Sequence, residues 1–339
     1  MIRGLARVSG AGHAAAGLRA AAARLGRPSG RDVISGLVTG LFSIPEGMAY
    51  ASIGGFNPVA GLYSGMLPTL AGSVFARTVL MVTTLTSAIA LSSQSVLASA
   101  HLDPHRPANV AALVIVVGAV MAVLGLLRAG SVMNFVSNAV MTGFTTGIAL
   151  QIIVGVLGDA TRYRPSGSNT IGKLIDSIAH IGSWDGATVA VAVATVAVWA
   201  LFRLVRPVAS LATLFALAIV TAAVKIFGVH VETVGDIASI PSRFPAPTVP
   251  DWSAMPHLLA GGFAVALVAL AQAAGISAAV PNPDGTKASA SGDFLAQGLA
   301  NLAGGIFGAL PTGGSLSRTG VAISAGRGPD GPESSPACG

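Results

Sequence analysis

The chain has 339 residues, of which 53% are hydrophobic and only 9% are charged, and its mean hydropathy is +0.74. An average soluble domain carries about 25% charged residues, so this composition excludes an ordinary soluble globular protein and points to a helical membrane protein. The net charge is +6, and the lone cysteine, Cys338, excludes an intrachain disulfide and a cysteine-based metal site.

The first 31 residues hold Arg3, Arg7, Arg19, Arg24, Arg27 and Arg31 and no acid. Nothing aromatic or motif-like accompanies them, so no nucleic-acid partner is expected. The stretch reads as a basic cytoplasmic tail over 1–31. An organelle transit peptide has a similar composition, which GC-rich bacterial genes also produce, and with no apolar run between the arginines no cleavable signal peptide is expected.

Ten apolar segments follow, at 33–50, 57–76, 79–100, 108–127, 132–157, 187–205, 208–228, 257–280, 294–309 and 310–325. About 20 apolar residues span a bilayer core, which predicts an all-α polytopic fold over 32–326. Residues 172–182 read as an amphipathic surface helix and 229–256 as a polar, proline-rich loop. With the N-terminus cytoplasmic, Arg77, Arg128, Arg203, Arg206 and Lys287 fall on the inner side, and most acids fall outside. Histidines 13, 101, 105, 180, 230 and 257 are scattered without an acidic cluster, so no metal or other cofactor is expected.

Two segments look interrupted. The run Thr78 to Thr84 is β-branched and extended in character, and Thr86-Ser87 then offers a helix N-cap. Likewise Pro311-Thr312-Gly313-Gly314 precedes the cap-like Ser315-Leu316-Ser317-Arg318. Paired interruptions of this kind mark a transporter's binding site. The spacing agrees: Ser87 lies 41 positions after Glu46, and Ser315 lies 43 after Gln272. This suggests a first repeat over about 32–228 and a partial second over about 257–326.

Facing half-helix N-termini would present unpaired N–H groups and partial positive charge to an anion. Glu46 and Arg318 are the charges deepest in apolar segments, and an intramembrane charge is by default functional. Two readings of Glu46 stay open. It pairs with Arg318, or it is protonated and couples proton movement to transport.

These residues resemble the SulP family of inorganic anion transporters. The likeness runs through Asp32 to Leu37, Ile44-Pro45-Glu46-Gly47-Met48-Ala49-Tyr50-Ala51, Pro58 to Tyr63 and Gly143 to Gly147. It continues through Val234 to Ile237, Pro250-Asp251, Gln297-Gly298-Leu299-Ala300-Asn301, Pro311 and Gly314 to Thr319. The resemblance implies two inverted repeats of seven segments and elevator-like alternating access. It also implies substrate contacts from Glu46, Thr86, Ser87, Gln272, Ser315, Leu316, Ser317 and Arg318. By the same resemblance the partners are a small inorganic anion, the lipid bilayer and a second copy of the chain, with coupling to H+ or Na+. The first-segment position is often Gln in the family, and many relatives carry an acid where this chain has Gln272. Those departures bear on which anion binds and on cation coupling.

By the resemblance the family continues through further segments and usually a cytoplasmic STAS domain, and neither is expected here. Relatives commonly read Ala-Gly-Ala-Arg-Thr-Arg-Trp-Ala-Gly-Ile near residue 325. Deleting one G from a GC-rich encoding of that run yields Ala-Gly-Arg-Gly-Pro-Asp-Gly-Pro-Glu, which is residues 325–333. The polar stretch 327–339 is therefore expected to be a frameshift product.

The leading expectation is secondary active transport of a small inorganic anion, sulfate first, across the cytoplasmic membrane. Bicarbonate and dicarboxylates compete closely. A truncated, non-transporting remnant and a nucleobase permease are the alternatives. No enzyme is expected, since no His, Asp or Cys approaches a serine in a catalytic pattern.

Overall fold

The computed structural model describes residues 30–130, 138–166, 170–233, 244–280, 282 and 288–326. Residues 1–29 of the basic tail and the polar stretch 327–339 lie outside the described residues, as do 132–137 of the fifth apolar segment, 234–243 of the polar loop and Lys287. The described residues form helices joined by loops, and among them only two strands occur, each of three residues.

Helix α1 spans Gly30–Ile53 with Pro45 inside it. The predicted segment 57–76 breaks in two, α2 (Pro58–Ser64) and α3 (Leu67–Phe75). Pro68 explains the break. It cannot donate to the Ser64 carbonyl four residues back. That carbonyl instead accepts from the Thr84 hydroxyl at 3.4 Å. Asn57 caps α2 by accepting the Val59 N–H at 3.0 Å, with Pro58 at the first helical position.

The next segment is half strand and half helix, as its β-branched opening predicts: β1 (Val82–Thr84) leads into α4 (Ser87–Ser99). Then come α5 (Pro107–Leu126), α6 (Asn138–Thr161) and the amphipathic α7 (Thr170–Ala179). Helices α8 (Gly186–Leu204) and α9 (Ala212–Phe227) follow, joined by a 3-10 turn at Arg206–Leu211. Asp185 caps α8, and Gly228 ends α9 in the left-handed conformation at φ +60°. The last elements are α10 (Met255–Ala279), α11 (Ala290–Ile306), β2 (Gly313–Ser315) and α12 (Leu316–Gly326).

Three described helices are long and apolar enough to cross a bilayer by length and composition: Pro107–Leu126, Gly186–Leu204 and Met255–Ser277. Others are shortened by the strand–helix breaks or diluted by glycine and polar residues. The core gathers around α5, with Leu113, Val114, Val117 and Met121 fully or nearly fully buried against α10 and α11. By contrast, α8 buries nothing and exposes Val193, Val196 and Leu201. In lipid such a face is already in its preferred solvent.

Small residues set the closest approaches. A Cβ added to Gly47 of α1 would lie 2.7 Å from the carbonyl oxygen of Gly61 in α2. Backbone contact of this kind is a common means of helix association where the hydrophobic effect supplies no drive. Two buried polar groups of α11 tie it to neighbouring chain. Asn301 in α11 accepts the Thr312 N–H at 2.7 Å and donates to the Thr312 carbonyl at 2.9 Å, which fixes the lead-in to β2. Asp293, read from the sequence as a charge at a segment end, is 1% exposed. It accepts from the N–H groups of Arg77 (2.7 Å) and Thr78 (2.9 Å) and from the Thr78 hydroxyl (2.6 Å).

Candidate functional site

The two interrupted segments meet. Strands β1 and β2 pair antiparallel, with Val82 opposite Ser315, Thr83 opposite Gly314 and Thr84 opposite Gly313. Each strand runs straight into a helix, so α4 and α12 begin at opposite ends of one short ribbon and lead away from it. Each helix start brings its first N–H groups, with their share of the helix dipole, to its end of the ribbon, where a long continuous helix would have none free.

Both starts carry hydroxyl caps. Thr86 Oγ1 accepts the Ile89 N–H at 3.3 Å, and Ser315 Oγ accepts the Arg318 N–H at 3.4 Å. Thr86 Oγ1 also donates to Gln272 Oε1 at 3.1 Å, which brings α10 into the site. This approach depends on the glycines of β2. A Cβ at Gly314 would lie 3.0 Å from the Cα of Ala273, and one at Gly313 2.7 Å from the Cβ of Ala269.

Ser87 is the first residue of α4 and is 2% exposed, yet its Oγ has no hydrogen-bonding partner among the described residues. An unpaired buried hydroxyl costs about 1–3 kcal/mol. Of the hydroxyls at the two helix starts, Thr86 and Ser315 are paired and Ser87 is not; Thr83 Oγ1 in the adjoining strand β1 is likewise buried without a partner.

On the other side of the ribbon, Arg318 and Glu46 form an ion pair at 2.5 Å. Arg318 is fully buried, and its guanidinium also donates to the Thr84 hydroxyl and to the Ser43 carbonyl at 3.3 Å. Glu46 accepts from Tyr50 Oη at 2.8 Å and Ser317 Oγ at 3.1 Å. Gly47 and Gly65 flank the guanidinium, and a Cβ at either would be in van der Waals contact with it at 3.5 Å. Of the two readings of Glu46, the geometry here is the paired one. Arg318 faces packed protein from three elements, α1, the α2–α3 break and β1.

The predicted residues thus fall into two groups joined by the ribbon: Thr86, Ser87 and Gln272 on one side, and Glu46, Ser315, Ser317 and Arg318 on the other. Leu316 belongs to neither and is 56% exposed. Sequence reasoning missed Tyr50 and Thr84, which complete the ion-pair network. Tyr50 follows Glu46 by one helical turn, a spacing that could have flagged it. Among the described residues no group of three metal-ligating side chains gathers.

Helices interrupted at the site, strands paired at its centre and buried charges beside them define a polytopic membrane protein of the crossed half-helix class. The chain belongs to the Sulfate permease family, whose sequence model matches residues 30–328. It is 28% identical over 302 residues to "Probable sulfate transporter 4.2" of Arabidopsis thaliana, covering 86% of this chain and 44% of that one. It is 27% identical over 333 residues to human pendrin, covering 87% and 42%. The chain therefore spans about half the length of the curated relatives it matches. Among solved structures, SLC26A9 superimposes with a TM-score of 0.72 at 21% identity, over 88% of this chain and 51% of that one. The transmembrane domain of the cyanobacterial bicarbonate transporter BicA gives 0.71 at 21% identity, over 88% and 78%. These likenesses show the fold, that of a multi-pass helical membrane domain.

Proposed function

We propose that this chain supplies the substrate-holding part of a secondary active transporter for a small inorganic anion, sulfate first. The anion sits at the start of α4, against the start of α12. The observation that carries this reading is Ser87, a buried, unpaired hydroxyl at a helix N-terminus whose partner N-terminus lies across a paired ribbon. An anion there would accept from Ser87 Oγ and the free N–H groups, which supplies the missing hydrogen bond. Gln272 adds a neutral polar contact through Thr86. In this reading Arg318 contributes little direct charge, because Glu46 already neutralises it, and the site reads size and partial charge.

Several features support sulfate and its close competitors. The relative from Arabidopsis thaliana is named a sulfate transporter, and BicA, which shares the fold, is named a bicarbonate transporter. Coupling to a proton would run through Glu46. Protonation would release the Arg318 guanidinium from its counter-charge and strengthen the pull on an anion. The arginine-rich start favours a cytoplasmic N-terminus in the cytoplasmic membrane.

Radiolabelled uptake in cells lacking their own sulfate permeases tests the reading. Sulfate uptake by this chain that Ser87→Phe abolishes supports it. Uptake of bicarbonate with no sulfate uptake would move the substrate assignment within the same site. Uptake that Ser87→Phe leaves intact would remove the site from this position.

A further inference from the structure

Away from the ribbon, four pieces of chain line a half-open cavity of about 160 Å³: α2, the α4–α5 connection, the stretch 244–250 and the turn from α11 to β2. It shares no lining residue with the candidate anion site. Its walls are fixed by hydrogen bonds. The Thr248 N–H donates to the Ile306 carbonyl at 2.6 Å, and the Asp251 N–H to the Ala108 carbonyl at 3.0 Å. The Leu310 N–H donates to Ser64 Oγ at 2.8 Å. Phe244 stands edge-on to Phe307 with centroids 5.9 Å apart. The stretch 244–250 is thus strapped across the ends of α5 and α11.

The lining is apolar on most sides, with Phe56, Tyr63, Val110, Phe307 and Leu310. Asn57, His105 and Thr248 supply polar atoms at its rim. No acid, lysine or arginine is among the lining residues. The adjacent Arg106 and Asp251 are paired with each other at 3.5 Å. A charged ligand would find no counter-charge here, and an unpaired charge is costly to desolvate. An apolar cavity of about 150 Å³ is known to hold one benzene ring, so this volume fits a single six-membered ring.

We propose that this cavity binds a small neutral aromatic molecule of the phenol class. Its ring would lie against Phe56, Tyr63 and Phe307, with its hydroxyl toward Asn57, His105 and Thr248. Such a ligand would touch α2 and the α11–β2 turn together. Gly308, at φ +73°, and Leu310 lead directly into β2. Occupancy would therefore stiffen the approach to the ribbon, and the site would act as a modulatory one. The inference stands independently of which anion, if any, the ribbon holds.

Fluorine NMR of 4-fluorophenol with the purified full chain in detergent tests it. The expected result is saturable line broadening that excess unlabelled phenol reverses. Ala246→Phe, which fills the cavity from the strap, weakens binding at least tenfold. Thr248→Val, which keeps shape but removes the hydroxyl, weakens it roughly fivefold, the worth of about one hydrogen bond. Broadening that grows linearly without saturating would be partition into detergent and would overturn the proposal. So would saturable binding that both variants leave unchanged.

Discussion

Arg318 Nε lies 2.5 Å from Glu46 Oε2, joining α12 to α1 across 272 positions of sequence, with the arginine side chain fully buried and the glutamate 10% exposed. The pair is asymmetric. Glu46 retains some access to its surroundings, whereas the guanidinium has none.

That asymmetry predicts the order of two substitutions. Glu46→Gln leaves a wholly buried cation without a counter-charge, and breaking a buried pair from one side costs about 3–5 kcal/mol. Arg318→Met leaves a carboxylate that can reach its surroundings, so its cost is expected near the low end of that range. The double variant should lose less than the two single losses together, because the pair is one interaction. Thermal unfolding of the four proteins in detergent measures all of these terms.

Ser87→Ala separates stability from binding. Removing an unpaired buried hydroxyl should leave the fold unchanged or stabilise it by up to about 1–2 kcal/mol. The same change should weaken anion affinity roughly tenfold. A drop in unfolding temperature without change in affinity would assign Ser87 a purely structural partner.

Asn301→Leu should be among the costliest substitutions outside the ion pair. It strands both the N–H and the carbonyl of buried Thr312, at about 1–3 kcal/mol for each unsatisfied group. Hydrogen exchange at Thr312 and Gly313 should accelerate more than exchange in α8, which shares no contact with them.

Acidification should loosen the start of α8. The Asp185 carboxyl is held below its ordinary value, first by the Thr188 hydroxyl and then by the Thr188 N–H. Its folded pKa is thus below the unfolded one. The stabilisation is complete above the unfolded value of about 4 and is lost as pH falls through the lower folded value. Amide exchange at 186–189 should rise over that interval. Asp185→Asn, which caps without titrating, should remove the pH dependence.

Much of this fold was legible because the membrane simplifies the code. The apolar runs gave the helices, and the β-branched run at 78–84 and the glycines at 313–314 marked both interruptions. The break between α2 and α3 was not legible. Its segment carries no charge to mark the break before Arg77, and Pro68 alone does not say that Thr84 will take the freed Ser64 carbonyl twenty positions back. The pairing of Glu46 with Arg318 was one of two open readings, since spacing cannot tell a paired carboxylate from a protonated one. Burial of Asp293 went unread because an acid in the first turn of a helix is ordinary at a surface. Only its three partners at residues 77 and 78 show that it ties the chain leading into β1 to the start of α11.

The central claim is that an anion is held at the start of α4 across the ribbon from α12. Equilibrium binding of radiolabelled sulfate to the purified chain tests it most directly, run beside Ser87→Phe and Ala246→Phe. Saturable binding with one site per chain is expected, competed by bicarbonate, abolished by Ser87→Phe and still saturable at one site per chain in Ala246→Phe. Saturable binding that survives Ser87→Phe in a folded protein would contradict it.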